Sequence, residues 1–91
     1  MAGGTKTYII AGKVQRVGYR NFVATAARGL HLSGWVRNLP DGGVEAYVTG
    51  PAARLKKLEA ELRIGPPRAE VRMVEGSEVP PGVKIEGFHI R

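Results

Sequence analysis

Apolar and polar positions change period several times along the chain, and each change marks the border of an element. The run Thr7 to Gly12 is β-branched and aromatic and stops at a glycine, which predicts a short buried strand. After a connection of eight residues, Phe22, Val23, Ala26, Ala27 and Leu30 recur at i, i+1, i+4, i+5 and i+8. That spacing is the apolar stripe of a helix beginning near Tyr19 or Arg20 and ending at Gly29. Gly34 to Leu39 and Gly43 to Thr49 flank a Pro40-Asp41-Gly42 turn, in which Pro presets φ and Gly accepts positive φ, so the two runs form a hairpin. On its second arm Val44, Ala46 and Val48 face one way and Glu45, Tyr47 and Thr49 the other, as in a sheet with one wet face.

Gly50-Pro51 opens a second helix, in which Leu55, Leu58 and Leu62 repeat at i, i+3 and i+7 until Gly65-Pro66-Pro67 stops it. From Arg68 to Glu75, charged Arg68, Glu70 and Arg72 alternate with Ala69, Val71 and Met73, predicting a half-buried fourth strand, and Gly76 to Gly82 reads as a loop. In a fifth strand Val83 and Ile85 share one face and Phe88 and Ile90 the other, so Gly87 should mark a bulge or bend. The order β-α-β-β-α-β with a short extra C-terminal strand predicts an α+β ferredoxin-like sandwich: two helices on one face of an antiparallel sheet. That architecture hosts many functions, so it chooses no chemistry by itself.

A length of 91 residues suits one domain spanning 1–91. The absence of cysteine excludes disulfides, thiolate ligands and a cysteine nucleophile, and suits a reducing cytoplasm. Met1 to Thr5 is Gly-rich and polar and no long apolar run follows, so neither a signal peptide nor a membrane span is expected and the cytoplasm is the expected location. His31 and His89 are too few and too scattered to suggest a metal site. A net charge of +6 and a pI near 10.2 favour anionic partners, whether phosphorylated metabolites, nucleic acid or acidic surfaces.

The connection Lys13-Val14-Gln15-Arg16-Val17-Gly18-Tyr19-Arg20 narrows that choice. A loop feeding a helix N-terminus presents unpaired N–H groups and the positive end of the helix dipole, a cradle for phosphate. Gly12 and Gly18 let its backbone curl, but no Gly-Lys-Ser/Thr follows, so it is not a nucleotide P-loop. On spacing alone, an ordinary strand-to-helix connection with solvated cations fits as well. In the expected topology the first and second strands run parallel with the third between them, which brings Asn38 to the same edge as the loop, roughly 10 Å away. Asn38 can orient a water but cannot act as a base, or it can simply fix the turn before Pro40. Arg20 offers a planar, permanently charged fork for phosphate oxygens, or a solvated helix-start side chain.

Gly12-Lys13-Val14-Gln15-Arg16-Val17-Gly18-Tyr19-Arg20 resembles the acylphosphatase signature Gly-x-Val-Gln-Gly-Val-x-Phe/Tyr-Arg. Gly34-Trp35-Val36-Arg37-Asn38, followed by Asp41-Gly42-x-Val44-Glu45, resembles the family's second signature, and Gly87-Phe88-His89-Ile90 its last strand. The resemblance implies hydrolysis of acyl phosphates to a carboxylate and inorganic phosphate without metal or cofactor; from the sequence itself no nucleic-acid or membrane partner is expected, and nothing in it suggests more than a monomer. The resemblance assigns Arg20 to phosphate binding, Asn38 to the attacking water and the amides of Gln15, Arg16, Val17, Gly18 and Tyr19 to the phosphate cradle, with the bound phosphate itself taking the water's proton.

Arg16 stands where the family usually has Gly. If the position needs positive φ, a side chain there costs of order 1 kcal/mol. The rival readings are a catalytically weak family member and a basic ferredoxin-like module that binds anions or nucleic acid, stacking bases on Tyr8 and Tyr47. Against the nucleic-acid reading, Gly43 to Val48 lacks the aromatic RNA-binding pattern, and Glu45 would repel a phosphate backbone.

Overall fold

Alternation along β1 (Gly3–Lys13) turns Tyr8 and Ile10 toward the helices, and both are fully buried. The computed structural model describes Gly3 to Arg91; Met1 and Ala2, part of the stretch read as a polar N-terminus, lie outside the described residues. Gly3 to Thr5 of that stretch belong to β1, where the Thr5 and Thr49 hydroxyls hydrogen-bond at 2.9 Å. There follow α1 (Tyr19–Gly29), β2 (Ser33–Asn38), β3 (Val44–Pro51), α2 (Ala52–Ile64), β4 (Glu70–Val79) and β5 (Phe88–Ile90). Pro51 takes the N-cap of α2 rather than its first helical position.

The strands lie in the order β4-β1-β3-β2-β5. Both neighbours of β1 are antiparallel to it, and β2 is antiparallel to β3, so β1 and β2 point the same way with β3 between them. β5 pairs parallel with β2, making the sheet mixed where a wholly antiparallel one was expected. The reason is topological. β4 ends at the edge of the sheet where β2 begins, so the chain crosses there and can only enter alongside β2 in the same direction.

The core lies between the sheet and the helices, built from Tyr8, Ile10, Val36, Val44, Ala46 and Val48 beneath Val23, Ala27, Leu55, Leu58 and Leu62. The stripe of α1 is rotated from its expected position. Tyr19, Val23, Ala24 and Ala27 are buried, while Phe22, Ala26 and Leu30 are half-buried. Because α1 packs on β2 and β5 as well as on α2, its inner face is divided between them, and Phe22, Ala26 and Leu30 lie on the seam facing Lys57, Ala60 and Glu61 of α2.

Three further expectations are corrected. Opposite Ala11 and Gly12 the β4 residues are Met73 and Val71, so Arg72 is an extra residue, a bulge that reverses the phase. Val74 is therefore buried and Met73 is 45% exposed. Gly76 to Val79 continues β4 against Tyr8 to Thr5 instead of forming a loop. Val83 is 87% exposed and outside β5, which spans only Phe88–Ile90. Tyr8, fully buried, offers no surface for a base, and the Tyr47 ring is stacked on Trp35 with centroids 5.7 Å apart. Among the described residues no helix is long and apolar enough to cross a membrane.

Two phenols tie α2 to the rest. Tyr19 donates to the Leu62 carbonyl at 2.7 Å and Tyr8 to that of Leu55 at 3.5 Å. Burial raises the Tyr8 pKa to about 12, with Glu59 adding to the rise and Arg63 opposing it. Burial alone pushes that of Tyr19 well above the ordinary phenol value. Both groups hold their proton more tightly folded than unfolded, so their stabilisation is complete below the unfolded pKa near 10 and declines as pH rises from there. Urea unfolding between pH 9.5 and 11.5 should lose about 1.4 kcal/mol per pH unit for each phenol once pH exceeds 10, and a Tyr8→Phe/Tyr19→Phe double variant should show a flatter slope.

Candidate active site

The β1–α1 loop turns on two left-handed positions, Arg16 at φ 63° and Gly18 at φ 80°. Left-handed residues in a tight loop direct successive amides to one side, forming a concave nest for an anion. Val14 and Val17 anchor the loop because their side chains are buried in the core. Gln15 straps it across the site: its Nε2 donates to the Leu39 and Gly43 carbonyls, each at 2.8 Å, on the turn that follows β2.

Gly18 is the N-cap of α1, with no side-chain cap and no acidic residue in the first turn. The first helical bond runs from the Phe22 amide to the Gly18 carbonyl at 3.0 Å. The amides of Tyr19, Arg20 and Asn21 therefore have no helical acceptor, and the dipole favours an anion in front of them.

Asn38 ends β2 on its helix-facing side. It is opposite Val44 of β3, whose other neighbour is Ile10 of β1, so the loop leaving β1 emerges two strands over from Asn38, with β3 between. Its Oδ1 is buried with no hydrogen-bond partner, the one such side-chain atom among the described residues. A buried acceptor left unpaired costs about 1–3 kcal/mol, which a bound donor would recover.

Arg20 is held from behind. Its Nη1 donates to the Arg91 backbone oxygen at 2.8 Å, and the Arg91 amide in turn donates to the Val36 carbonyl at 2.8 Å. A second arginine of α1, Arg28, donates from Nε and Nη2 to the Phe88 carbonyl at 3.2 and 2.8 Å. These bonds fix β5 against α1 and leave most of the Arg20 fork unused.

A cavity of about 220 Å³ opens between these pieces, lined by Arg16 and Gly18 of the loop, Arg20 and Asn21 of α1, Asn38 of β2 and Ile90 of β5, with Val14 and Tyr19 behind. No carboxylate lines it. Donor-rich walls with one unpaired acceptor suit a tetrahedral anion accompanied by a water. Of the residues the sequence nominated, Arg16, Gly18, Tyr19, Arg20 and Asn38 meet here. The side chains of Gln15 and Val17 go elsewhere, to the strap and the core, while their backbone stays in the loop. Asn21 and Ile90 were not foreseen. Asn21 follows the motif at a helix start, where its free amide could have been inferred, but Ile90 arrives only by the parallel pairing of β5.

A family model described as Acylphosphatase matches residues 6–90. A curated acylphosphatase from Koribacter versatilis (strain Ellin345) is 43% identical over 86 residues, which make up 94% of this chain and 78% of that protein. The crystal structure of acylphosphatase from Bacillus subtilis aligns with a TM-score of 0.92 at 32% identity, covering 96% of this chain and 97% of that one. The structure of an acylphosphatase from Coxiella burnetii gives the same TM-score, 0.92, at 34% identity, covering 98% and 93%.

The left-handed backbone at Arg16 sets a stability test. Replacing it by Gly removes side-chain strain but frees the unfolded chain, so Arg16→Gly should stay within about 1 kcal/mol of the parent. Arg16→Val, β-branched at positive φ, should be about 1–2 kcal/mol less stable than Arg16→Gly by urea unfolding.

Proposed function

The chain belongs to the acylphosphatase family and hydrolyses acyl phosphates to a carboxylate and inorganic phosphate; from that premise we propose that Arg20 and the amides of Gln15 to Tyr19 hold the phosphoryl group while Asn38 orients the attacking water. The observation that carries this reading is Asn38, which lines the same cavity as the open helix start and whose buried Oδ1 has no hydrogen-bond partner. A water donating to that oxygen has its own lone pairs free to face phosphorus.

The remaining steps follow from charge. The Arg20 fork, the loop amides and the helix dipole neutralise the phosphoryl oxygens and fix the geometry, which is most of what an already activated anhydride requires. The water oxygen bonds to phosphorus as the bond from phosphorus to the acyl oxygen breaks, and the carboxylate leaves with the bonding pair. With a carboxyl pKa near 4, the leaving group needs no proton. The water's proton passes to a phosphate oxygen, since an amide is not basic and the arginines are already protonated. The balance is RCO–OPO₃²⁻ + H₂O → RCOO⁻ + H₂PO₄⁻. We further read the protein as a single domain over 1–91, working as a monomer in the cytoplasm without metal, nucleic-acid or membrane partners.

Hydrolysis of benzoyl phosphate in the presence of chelator tests the assignment. Arg20→Ala should lower kcat/KM at least about 100-fold, the effect of losing one preorganised stabilising group of ~3 kcal/mol. Asn38→Ala should lower kcat by a similar factor with little change in KM, yet unfold no more easily than the parent, because it deletes an unpaired buried acceptor. Asn38→Ala turning over within threefold of the parent would remove the water-orienting role.

A further inference from the structure

Arg16 occupies the mouth of the cavity under conditions that an ordinary surface arginine does not meet. The position is left-handed, at φ 63°, where glycine would be free of strain, and the buried Val14 and Val17 on either side hold it there. Its side chain makes no hydrogen bond or ion pair among the described residues; the ion pairs present join Arg37 to Glu45 and Arg63 to Glu59. No carboxylate in the cavity lining is available to neutralise it.

The phosphoryl group already faces a full set of donors. If the Arg16 amide belongs to the phosphate cradle, its guanidinium, several bonds further out, is carried toward the rim, in keeping with the residue's exposure. The exposed members of the lining are Arg16, Gly18, Asn21 and Ile90. The acyl group must emerge past these four, and Arg16 alone among them carries charge.

We propose that Arg16 makes this enzyme select acyl phosphates whose acyl portion bears a second anionic group, its guanidinium receiving that group at the cavity mouth. The proposal rests on the acylphosphatase reading and on the same cavity. It concerns the acyl side of the substrate, which the phosphate-binding residues do not discriminate. An exposed guanidinium–carboxylate pair corresponds to a roughly two- to fivefold preference and is weakened by salt.

The test compares 4-carboxybenzoyl phosphate with 4-carbamoylbenzoyl phosphate, alike in shape and different in charge. The readout is the ratio of their kcat/KM values, in which any general effect of a variant on the cradle cancels. Relative to the parent, the ratio should fall about two- to fivefold in Arg16→Gln, fall further in Arg16→Glu and be largely kept in Arg16→Lys. It should also fall in the parent at high salt. Lys57→Gln makes the same change in net charge on the helix seam, away from the cavity, and should leave the ratio unaltered. An equal ratio in parent, Arg16→Gln and Arg16→Glu, with both substrates turned over, would overturn the proposal and leave the enzyme assignment standing. A folded parent that hydrolyses neither substrate would overturn the acylphosphatase reading and this proposal with it.

Discussion

The Gln15 side-chain amide spends its donors on the Leu39 and Gly43 carbonyls, and the geometry of the site depends on that bridge. One end of it lies in the β1–α1 loop and the other in the turn immediately after Asn38, so the amide cradle and the water-orienting oxygen are joined through a single side chain. Neither half is well placed without the other. A loop with two left-handed residues has little reason of its own to hold one shape, and Asn38, at the end of a strand, sits where a ladder frays. The bridge, together with Val14 and Val17 buried on either side of it, turns two chain ends into one rigid wall.

Several features of the site oppose stability. The start of α1 has no side-chain cap, Arg16 adopts a backbone conformation suited to glycine, and Asn38 Oδ1 is buried without a donor. Each leaves hydrogen-bonding capacity or positive potential available to a ligand. The compensation lies in the layer below: Tyr8, Ile10, Val36, Val44, Val48, Leu58 and Leu62 are all fully buried between sheet and helices. The Tyr8 and Tyr19 hydroxyls are spent on α2 carbonyls and leave the chemistry alone. A site poorer in internal partners than the rest of the molecule is the usual arrangement when binding supplies what folding withheld.

The last strand has a role out of proportion to its length. β5 has three residues, yet Arg28 grips its first carbonyl and Arg20 the backbone oxygen just past its end. The phosphate-binding fork is thereby oriented by backbone some seventy positions distant in sequence, and Ile90 closes one side of the cavity. Long-range backbone contacts of this kind have no local signature, because a carbonyl oxygen is the same acceptor in every residue.

Local physics was legible from the amino acids alone. The leucine repeat of α2, the Pro-Asp-Gly hairpin turn and the alternation of β3 express periods of 3.6 and 2 that survive folding, and their order along the chain was enough for the split βαβ arrangement. The loop from Lys13 to Arg20 and its pairing with Asn38 were also readable, because two parallel strands separated by a third must end at one edge. Tertiary packing alone decided the rest. The Arg72 bulge exchanged Met73 for Val74 in the core; the crossing after β4 made β5 parallel; and the contact of α1 with two strands and a second helix rotated its buried face. Those outcomes depend on which neighbour an element meets, and hydrophobic periodicity records that a side is buried without recording by what.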